Sequence, residues 1–173
     1  MEQHPDGSPE TLSLITSSRF PANRVRHAFT TRTGGVSQGI YASANMHSRR
    51  GDNPDHVQEN RRRLLTAIGL PPGPIHTVFQ SHAGRVINAD PFTAEETHRE
   101  EADGLISTRP GVILGVYVAD CLPVLLYTST GPGCASLAAG WRGIIAGILQ
   151  NVVHALCEAT GASPSEITAV IGP

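Results

Sequence analysis

Asp120 and Cys121 lie together inside a long apolar run, GVYVADCLPVLLY, at residues 115–127. A carboxylate at the edge of a buried strand needs a partner such as an arginine, a backbone N–H or a metal-bound group. A thiol beside such a polar site can lose its proton to a metal or to a nearby histidine, and then act as a ligand or a nucleophile. The alternative is that Cys121 is an ordinary buried cysteine, which behaves as a small hydrophobic side chain.

His82 is the candidate partner for this thiol. It follows a strand-like segment in FQSHAGRV, and Gln80 precedes it by two residues, on the same side of an extended chain. An ordinary surface histidine is the alternative interpretation. Three other histidines have weaker cases, because nothing in the sequence places them near the thiol: His47, His76 and His98.

Strand patterns surround these residues. Residues 111–120 and 123–129 are apolar on both faces and rich in Val, Ile and Leu, which is typical of central strands covered on both sides. Pro123 has no N–H to give to a sheet, so we expect it to mark a break or bulge near Asp120 and Cys121. Shorter strands are predicted at residues 26–31, 75–80, 84–89, 134–141 and 165–173.

Two helices are predicted from apolar spacing and end signals. The first runs from about Pro54 to Ile68, with Asn53 as its N-terminal cap. The second covers roughly residues 144–160, repeats an apolar residue every four positions and ends at Gly161. The polar connection at residues 91–104 has room for a helical turn. Strands and helices together indicate a mixed α/β fold.

Length and charge limit the class of protein. A chain of 173 residues suits one domain, which we expect over residues 12–173 after a mobile tail at residues 1–11. The formal charge of -2 gives no basic surface for nucleic acid or for a membrane, so we expect a small-molecule ligand. The sequence shows no secretory signal and no apolar stretch of about eighteen residues, which predicts a cytoplasmic location. Its three cysteines lack C-x-x-C spacing and are predicted to be free thiols.

Six segments form a recognisable set in chain order: HAFTTRTGGVSQGIYASANM, GDNPDHVQENRRRLLTAIGL, the QSH of FQSHAGRV, EADGLIST, VADCLPVLL and AGWRGIIAGIL. Together they resemble the laccase-domain polyphenol oxidase family, whose bacterial members are regarded as purine nucleoside phosphorylases. The resemblance spans roughly residues 25–173, and ADCLPV followed by AGWRG is its most specific part. It implies a layered α/β domain in which helices pack outside a mixed β-sheet core, similar to the catalytic domain of cytotoxic necrotising factor toxins.

The resemblance also implies a zinc site. Its ligands would be the histidine of Q-x-H, the cysteine of A-D-C-x-P and a histidine that opens H-A-G-W-R-G. The first two correspond to His82 and Cys121, but Ala138 stands at the third position. Because a catalytic zinc usually has three protein ligands, we expect weak zinc binding unless another side chain moves in. Copper is not expected, since multicopper chemistry requires several histidine clusters.

The function implied by the resemblance is phosphate-dependent cleavage of purine nucleosides. Adenosine, inosine or methylthioadenosine would be split into base and sugar phosphate, with some deamination of adenosine. We expect Ala138 to impair this activity, and we expect a C-terminally short domain, because the family usually continues past residue 173. Two alternatives stay open: a non-catalytic relative that binds nucleosides or a protein partner, and a metal-free cysteine hydrolase with Cys121 as nucleophile and His82 as base.

Residue roles follow from the same resemblance. The predicted catalytic residues are Cys121, His82, Asp120 and Arg142, and the predicted substrate- or phosphate-binding residues are Arg32, Gln80 and Asn45. Arg32 and Arg142 are assigned to phosphate because guanidinium matches it in geometry and charge. For both arginines the alternative is a structural salt bridge or a backbone contact. Asp120 and Gln80 are expected to orient the ligand residues.

Overall fold

The computed structural model describes residues 11–48 and 51–173. The chain divides into two compact units, Met1–Gly73 and Pro74–Pro173. Apart from Thr11, the expected tail lies outside the described residues, and the single domain over residues 12–173 stays a prediction. None of the helices in the described part of the chain has the length and apolarity needed to cross a membrane.

The N-terminal unit contains a small sheet and one long helix. Strand β1 (Leu14–Ile15) pairs antiparallel with β2 (Phe29–Thr30), and a 3-10 turn at Gly39–Tyr41 lies in the following loop. Helix α1 (Pro54–Ala67) confirms the first predicted helix.

Asn53 caps helix α1 as predicted. Its side-chain oxygen accepts the Asp55 N–H at 2.9 Å. We expect Asn53→Ala to lower the free energy of unfolding by about 1 kcal/mol, because the amide of the first turn loses its acceptor. Urea denaturation measures the difference. The control is Gln58→Ala, an exposed site inside the same helix that should change stability by less than about 0.5 kcal/mol. Equal losses in the two variants would contradict the capping role.

The C-terminal unit is built on a five-stranded mixed sheet. Its strands are β4 (Val86–Asn88), β5 (Gly104–Ser107), β7 (Leu122–Thr128), β8 (Cys134–Ala139) and β9 (Ile167–Ile171). Their order is β4-β5-β8-β7-β9, with β4 and β5 parallel and the other pairs antiparallel. A separate parallel pair joins β3 (Ile75–His76) to β6 (Ile113–Leu114). The five shorter strand predictions are therefore confirmed, each with a narrower extent.

Three α-helices and a 3-10 turn at Pro164–Glu166 complete this unit, the helices being α2 (Ala94–Thr97), α3 (Trp141–Ile145) and α4 (Ile148–Thr160). The buried stripe of α4 consists of Ile148, Val152 and Leu156, each 0% exposed. It packs against one face of the sheet in a core that includes Val124 and Leu137. The mixed α/β class is confirmed, and α2 confirms the helical turn expected at residues 91–104.

The long strand predicted at residues 111–120 is wrong beyond its first part. Only Ile113–Leu114 pairs as a strand, and residues 115–120 form no regular element. Tyr117 instead exchanges two hydrogen bonds of 2.8 Å with the side-chain amide of Gln80. A side chain here takes the place of a neighbouring strand, so apolar composition alone overestimated the strand.

The break predicted near Asp120 and Cys121 is present, since the chain bends at residues 119–121 and β7 begins at Leu122. Pro123 itself, however, lies within β7. Its carbonyl accepts the Gly172 N–H at 2.9 Å, so its nitrogen faces the β9 side. Its partner on β8 is Ala138, whose own N–H donates in the opposite direction, to the Asp103 carbonyl at 2.9 Å. The ladder between β7 and β8 therefore requires no donor from Pro123.

The helix predicted at residues 144–160 is two helices, α3 and α4. Gly147 separates them with φ 81, a left-handed conformation that favours glycine. The four-residue apolar spacing continues across this break, which concealed it in the sequence. Arg142 consequently lies inside α3, and Gly161, with φ 73, ends α4 as predicted.

Candidate functional site

His82 and Cys121 meet beside Gly140. A Cβ built on Gly140 would lie 2.7 Å from Cys121 Sγ and 3.4 Å from His82 Nδ1. The two atoms therefore cannot be farther apart than the sum of these distances. A zinc ion, with bonds of about 2.0 Å to nitrogen and about 2.3 Å to sulfur, contacts both donors only when these lie within about 4.3 Å of each other. A separation near the upper bound would therefore require the two side chains to move together.

Strand register explains why these groups meet at a glycine. Leu122 pairs with Ala139, and continuing this register by one residue places Cys121 opposite Gly140. Gly140 has extended backbone angles, so a side chain built at this position would point to the same face of the sheet as that of Ala138, two residues earlier. Ala138, where the resemblance implies a histidine, therefore lies on the face of the sheet that carries the thiol.

His82 lies in a tight turn held by a buried carboxylate. Its φ of 58 is left-handed, a conformation that costs a residue with a Cβ about 1–2 kcal/mol. Asp103 accepts the His82 N–H at 2.6 Å and the Gly84 N–H at 2.8 Å. The Asp103 residue is 0% exposed. This carboxylate therefore supports the turn that presents the imidazole.

Asp103 is not among the residues predicted from the sequence, although a signal for it is present. Asp103 comes directly before Gly104 and the fully buried strand β5. A carboxylate in such a place needs hydrogen-bond donors, which is the same reasoning that singled out Asp120.

The donor set falls one ligand short of a catalytic zinc site. His82 and Cys121 supply two donors, whereas Ala138, 1% exposed, supplies none. Within residues 11–48 and 51–173, no group of three or more His, Cys, Asp or Glu side chains could hold a metal ion. The residues present therefore do not fit a zinc held by three protein ligands.

Two of the other histidines are engaged beside α2. His76 is buried, and its Nδ1 lies 3.5 Å from Thr97 Oγ1. His98 Nδ1 lies 2.8 Å from Thr77 Oγ1. Neither belongs to a metal-binding group of three in the described part of the chain.

Burial raises the pKa of the Cys121 thiol, and the Asp120 carboxylate raises it further. Asp120 is exposed, and its Oδ1 lies 3.9 Å from Cys121 Sγ. Asp103 acts on the thiol pKa in the same direction. The thiol is therefore protonated at neutral pH without a cation nearby, whereas the two carboxylates favour a bound cation.

We expect Cys121 to react with iodoacetamide several times more slowly at pH 7.5 than free cysteine does. The thiolate is the reactive form, and a raised pKa lowers its fraction at any given pH, by tenfold for each pKa unit. The rate should climb as the pH rises beyond the usual range of a cysteine. Peptide-resolved mass spectrometry measures it, with Asp120→Asn as a variant expected to react faster. A rate above that of free cysteine would favour the metal-free nucleophile.

Arg142 is exposed on α3, with its guanidinium carbon 5.1 Å from the centre of the Trp141 ring. It follows Gly140 by two residues and makes no ion pair with any of the residues described. Its guanidinium therefore has hydrogen-bond donors available for an anion. Its role in phosphate binding stays a prediction.

The other predicted binding residues have local structural contacts. In the N-terminal unit, Arg32 Nε donates to the Ala42 carbonyl at 2.6 Å, and Asn45 Nδ2 donates to Asp52 Oδ2 at 2.9 Å. Asn45 Oδ1 also accepts the His47 N–H at 3.0 Å. These contacts use part of the hydrogen-bonding capacity of both side chains. The two bonds to the Tyr117 backbone likewise use part of the capacity of Gln80. Their substrate roles stay predictions.

Comparison with known proteins gives consistent matches. The family described as "Multi-copper polyphenol oxidoreductase laccase" matches residues 26–173. "Purine nucleoside phosphorylase YfiH" of Escherichia coli K12 is 41% identical over 163 residues, which are 94% of this chain and 64% of the relative. "Purine nucleoside phosphorylase Cgl2154/cg2365" of Corynebacterium glutamicum is 42% identical over 153 residues, which are 88% of this chain and 62% of the relative.

Solved structures match over the same extent. Neisseria meningitidis protein NMB0706 gives a TM-score of 0.77 at 36% identity, covering 94% of this chain and 62% of that protein. YlmD from Geobacillus stearothermophilus gives 0.75 at 28% identity, covering 96% of this chain and 60% of that protein. The chain thus spans less than two thirds of the length of these relatives.

Proposed function

Because the chain belongs to the multi-copper polyphenol oxidoreductase laccase family, we propose that it acts on purine nucleosides as a phosphorylase. Phosphate would cleave adenosine, inosine or methylthioadenosine into the free base and a sugar phosphate, with deamination of adenosine as a second reaction. The observation that carries the proposal is the meeting of His82 and Cys121 beside Gly140.

The activity is proposed to be impaired in this chain. The two donors, flanked by the carboxylates of Asp103 and Asp120, make a place that attracts a cation, yet the buried Ala138 supplies no third ligand. A metal held by two protein groups dissociates more readily than one held by three. Arg142, exposed near the same glycine, is the proposed contact for phosphate.

Phosphate dependence tests the reaction class. The chain is incubated with inosine, with and without phosphate, and hypoxanthine is measured by chromatography. We expect hypoxanthine and ribose 1-phosphate only when phosphate is present, and we expect Cys121→Ser to abolish both. Hypoxanthine release at the same rate without phosphate would contradict a phosphorylase and indicate a hydrolase. Ammonia released from adenosine measures deamination separately.

A second candidate is a nucleoside-binding protein without catalysis. The described residues favour it in one respect, since they contain no metal-binding group of three acidic, histidine or cysteine side chains. Calorimetric titration with inosine distinguishes the two candidates. Saturable binding without any product, even with zinc and phosphate added, would favour the binding protein.

A further inference from the structure

We propose that Asp103 is the positioning residue of the site: its carboxylate sets the place of His82 relative to Cys121. The proposal rests on the proposed function only in taking His82 and Cys121 as the two functional donors of the site. The Asp103 oxygens accept backbone N–H groups of the turn that carries the imidazole, so its positioning effect would act through this turn.

Both oxygens of the carboxylate are used on this turn. Oδ1 accepts the His82 N–H at 2.6 Å, and Oδ2 accepts the Gly84 N–H at 2.8 Å. Converging backbone N–H groups of this kind form a small anion-binding concavity, here filled by a side chain of the same protein. The two charge-assisted bonds offset the cost of the left-handed backbone of His82.

The backbone of Asp103 joins the same turn to strand β8. Its N–H donates to the Arg85 carbonyl at 2.8 Å, and its carbonyl accepts the Ala138 N–H at 2.9 Å. Strand β8 ends at Ala139, directly before Gly140, where the thiol lies. One residue therefore connects the segment that bears the imidazole to the strand that faces the thiol.

A carboxylate is required here, because both bonds need an acceptor. An asparagine offers one oxygen, and its NH2 group would face a backbone N–H, leaving two donors opposed in a fully buried place. Asp103→Asn therefore removes the support of the turn with almost no change in side-chain volume.

The test uses Cd²⁺ alone as a probe, because a thiolate bound to this ion gives a charge-transfer absorption in the ultraviolet. We expect Asp103→Asn to weaken Cd²⁺ binding at least tenfold, within the roughly 10–100-fold effect of residues that orient metal ligands. The variants His82→Ala and Cys121→Ser give the Cd²⁺ affinity expected when the site is lost completely.

The matched control is Asp90→Asn, the same chemical change at the opposite end of β5. The Asp90 carboxylate accepts the Thr108 N–H at 3.0 Å and the Thr108 hydroxyl at 2.8 Å. Asp90→Asn should lower the melting temperature and keep the affinity for Cd²⁺. Equal affinity in the parent chain and in Asp103→Asn, or an equal loss in the two variants, would overturn the proposal.

Hydrogen exchange on the unmodified chain keeps the proposal testable if Asp103→Asn fails to fold or the parent chain binds no Cd²⁺. His82 is exposed, yet its amide should exchange about a hundredfold more slowly than in an unstructured peptide, because the N–H is bonded to Asp103. Unprotected amides at His82 and Gly84 would overturn the proposal. Neither measurement involves a nucleoside, so a failure of the proposed enzymatic function is a separate result.

Discussion

Ala138→His is expected to raise the zinc affinity of the chain roughly a hundredfold, or about 2.8 kcal/mol. The side chain at position 138 points to the same face of the sheet as a Cβ built on Gly140 would. Cys121 and His82 meet on this face. An imidazole there adds the third protein ligand that a catalytic zinc usually has. Phosphate-dependent cleavage of inosine should increase with it.

The substitution also has a cost, because Ala138 is 1% exposed. A larger side chain in such a place lowers the free energy of unfolding by about 1–3 kcal/mol before metal is added. Bound zinc should restore part of this stability, since a ligand that binds only the folded state stabilises it. Competition with a chelator measures affinity, and thermal unfolding with and without zinc measures stability.

Ala138→Leu is the control for bulk, because leucine fills similar space without a donor atom. We expect it to lose the same stability and to gain no zinc affinity. If Ala138→His and Ala138→Leu bind zinc equally, position 138 does not serve the pair at His82 and Cys121, and the implied third ligand must be abandoned.

Gly140→Ala is expected to separate the two donors and to abolish the zinc binding gained by Ala138→His. The new methyl group would lie 2.7 Å from Cys121 Sγ, closer than carbon and sulfur can approach, so the thiol must move away. The backbone of Gly140, with φ -77 and ψ 160, accepts alanine without strain. The damage should therefore be confined to the site, with a loss of zinc affinity of roughly a hundredfold that cancels the gain from Ala138→His.

Gly143→Ala is the matched control three residues along the chain. A Cβ at Gly143 would meet its nearest neighbour at 3.6 Å, an ordinary contact, and alanine is favoured over glycine in a helix by up to about 1 kcal/mol. This variant should bind zinc like its parent and melt at the same temperature or higher. Unchanged zinc affinity in Gly140→Ala would mean that the thiol is not a ligand in its present orientation.

Local patterns in the sequence predicted the elements whose stability is local. The acceptor in Asn53 and the donor N–H of Asp55 lie two residues apart, so the cap on α1 is local. Gly161 ends α4 through its own left-handed backbone. The core face of α4 follows from apolar spacing alone. Such features depend on neighbours in the chain, which a single sequence displays.

Features that depend on distant parts of the chain escaped the same reasoning. The short extent of β6 reflects the amide of Gln80, which lies far from Tyr117 in sequence. The place of Pro123 within β7 depends on which neighbouring strand needs a donor at that register. Asp103 binds a turn some twenty residues away. In each case the sequence shows the residue but not the direction in which its polar groups point.

The amide of Gln80 has a further consequence for the donor pair. Gln80 lies shortly before His82, and Tyr117 lies shortly before Cys121. The two hydrogen bonds between Gln80 and Tyr117 therefore connect the segment that carries the imidazole to the segment that carries the thiol. This neutral connection, which does not depend on pH, lies upstream of both groups and supports their spacing in addition to the Asp103 carboxylate. A change in the protonation of the Cys121 thiol therefore leaves this connection between the two segments intact.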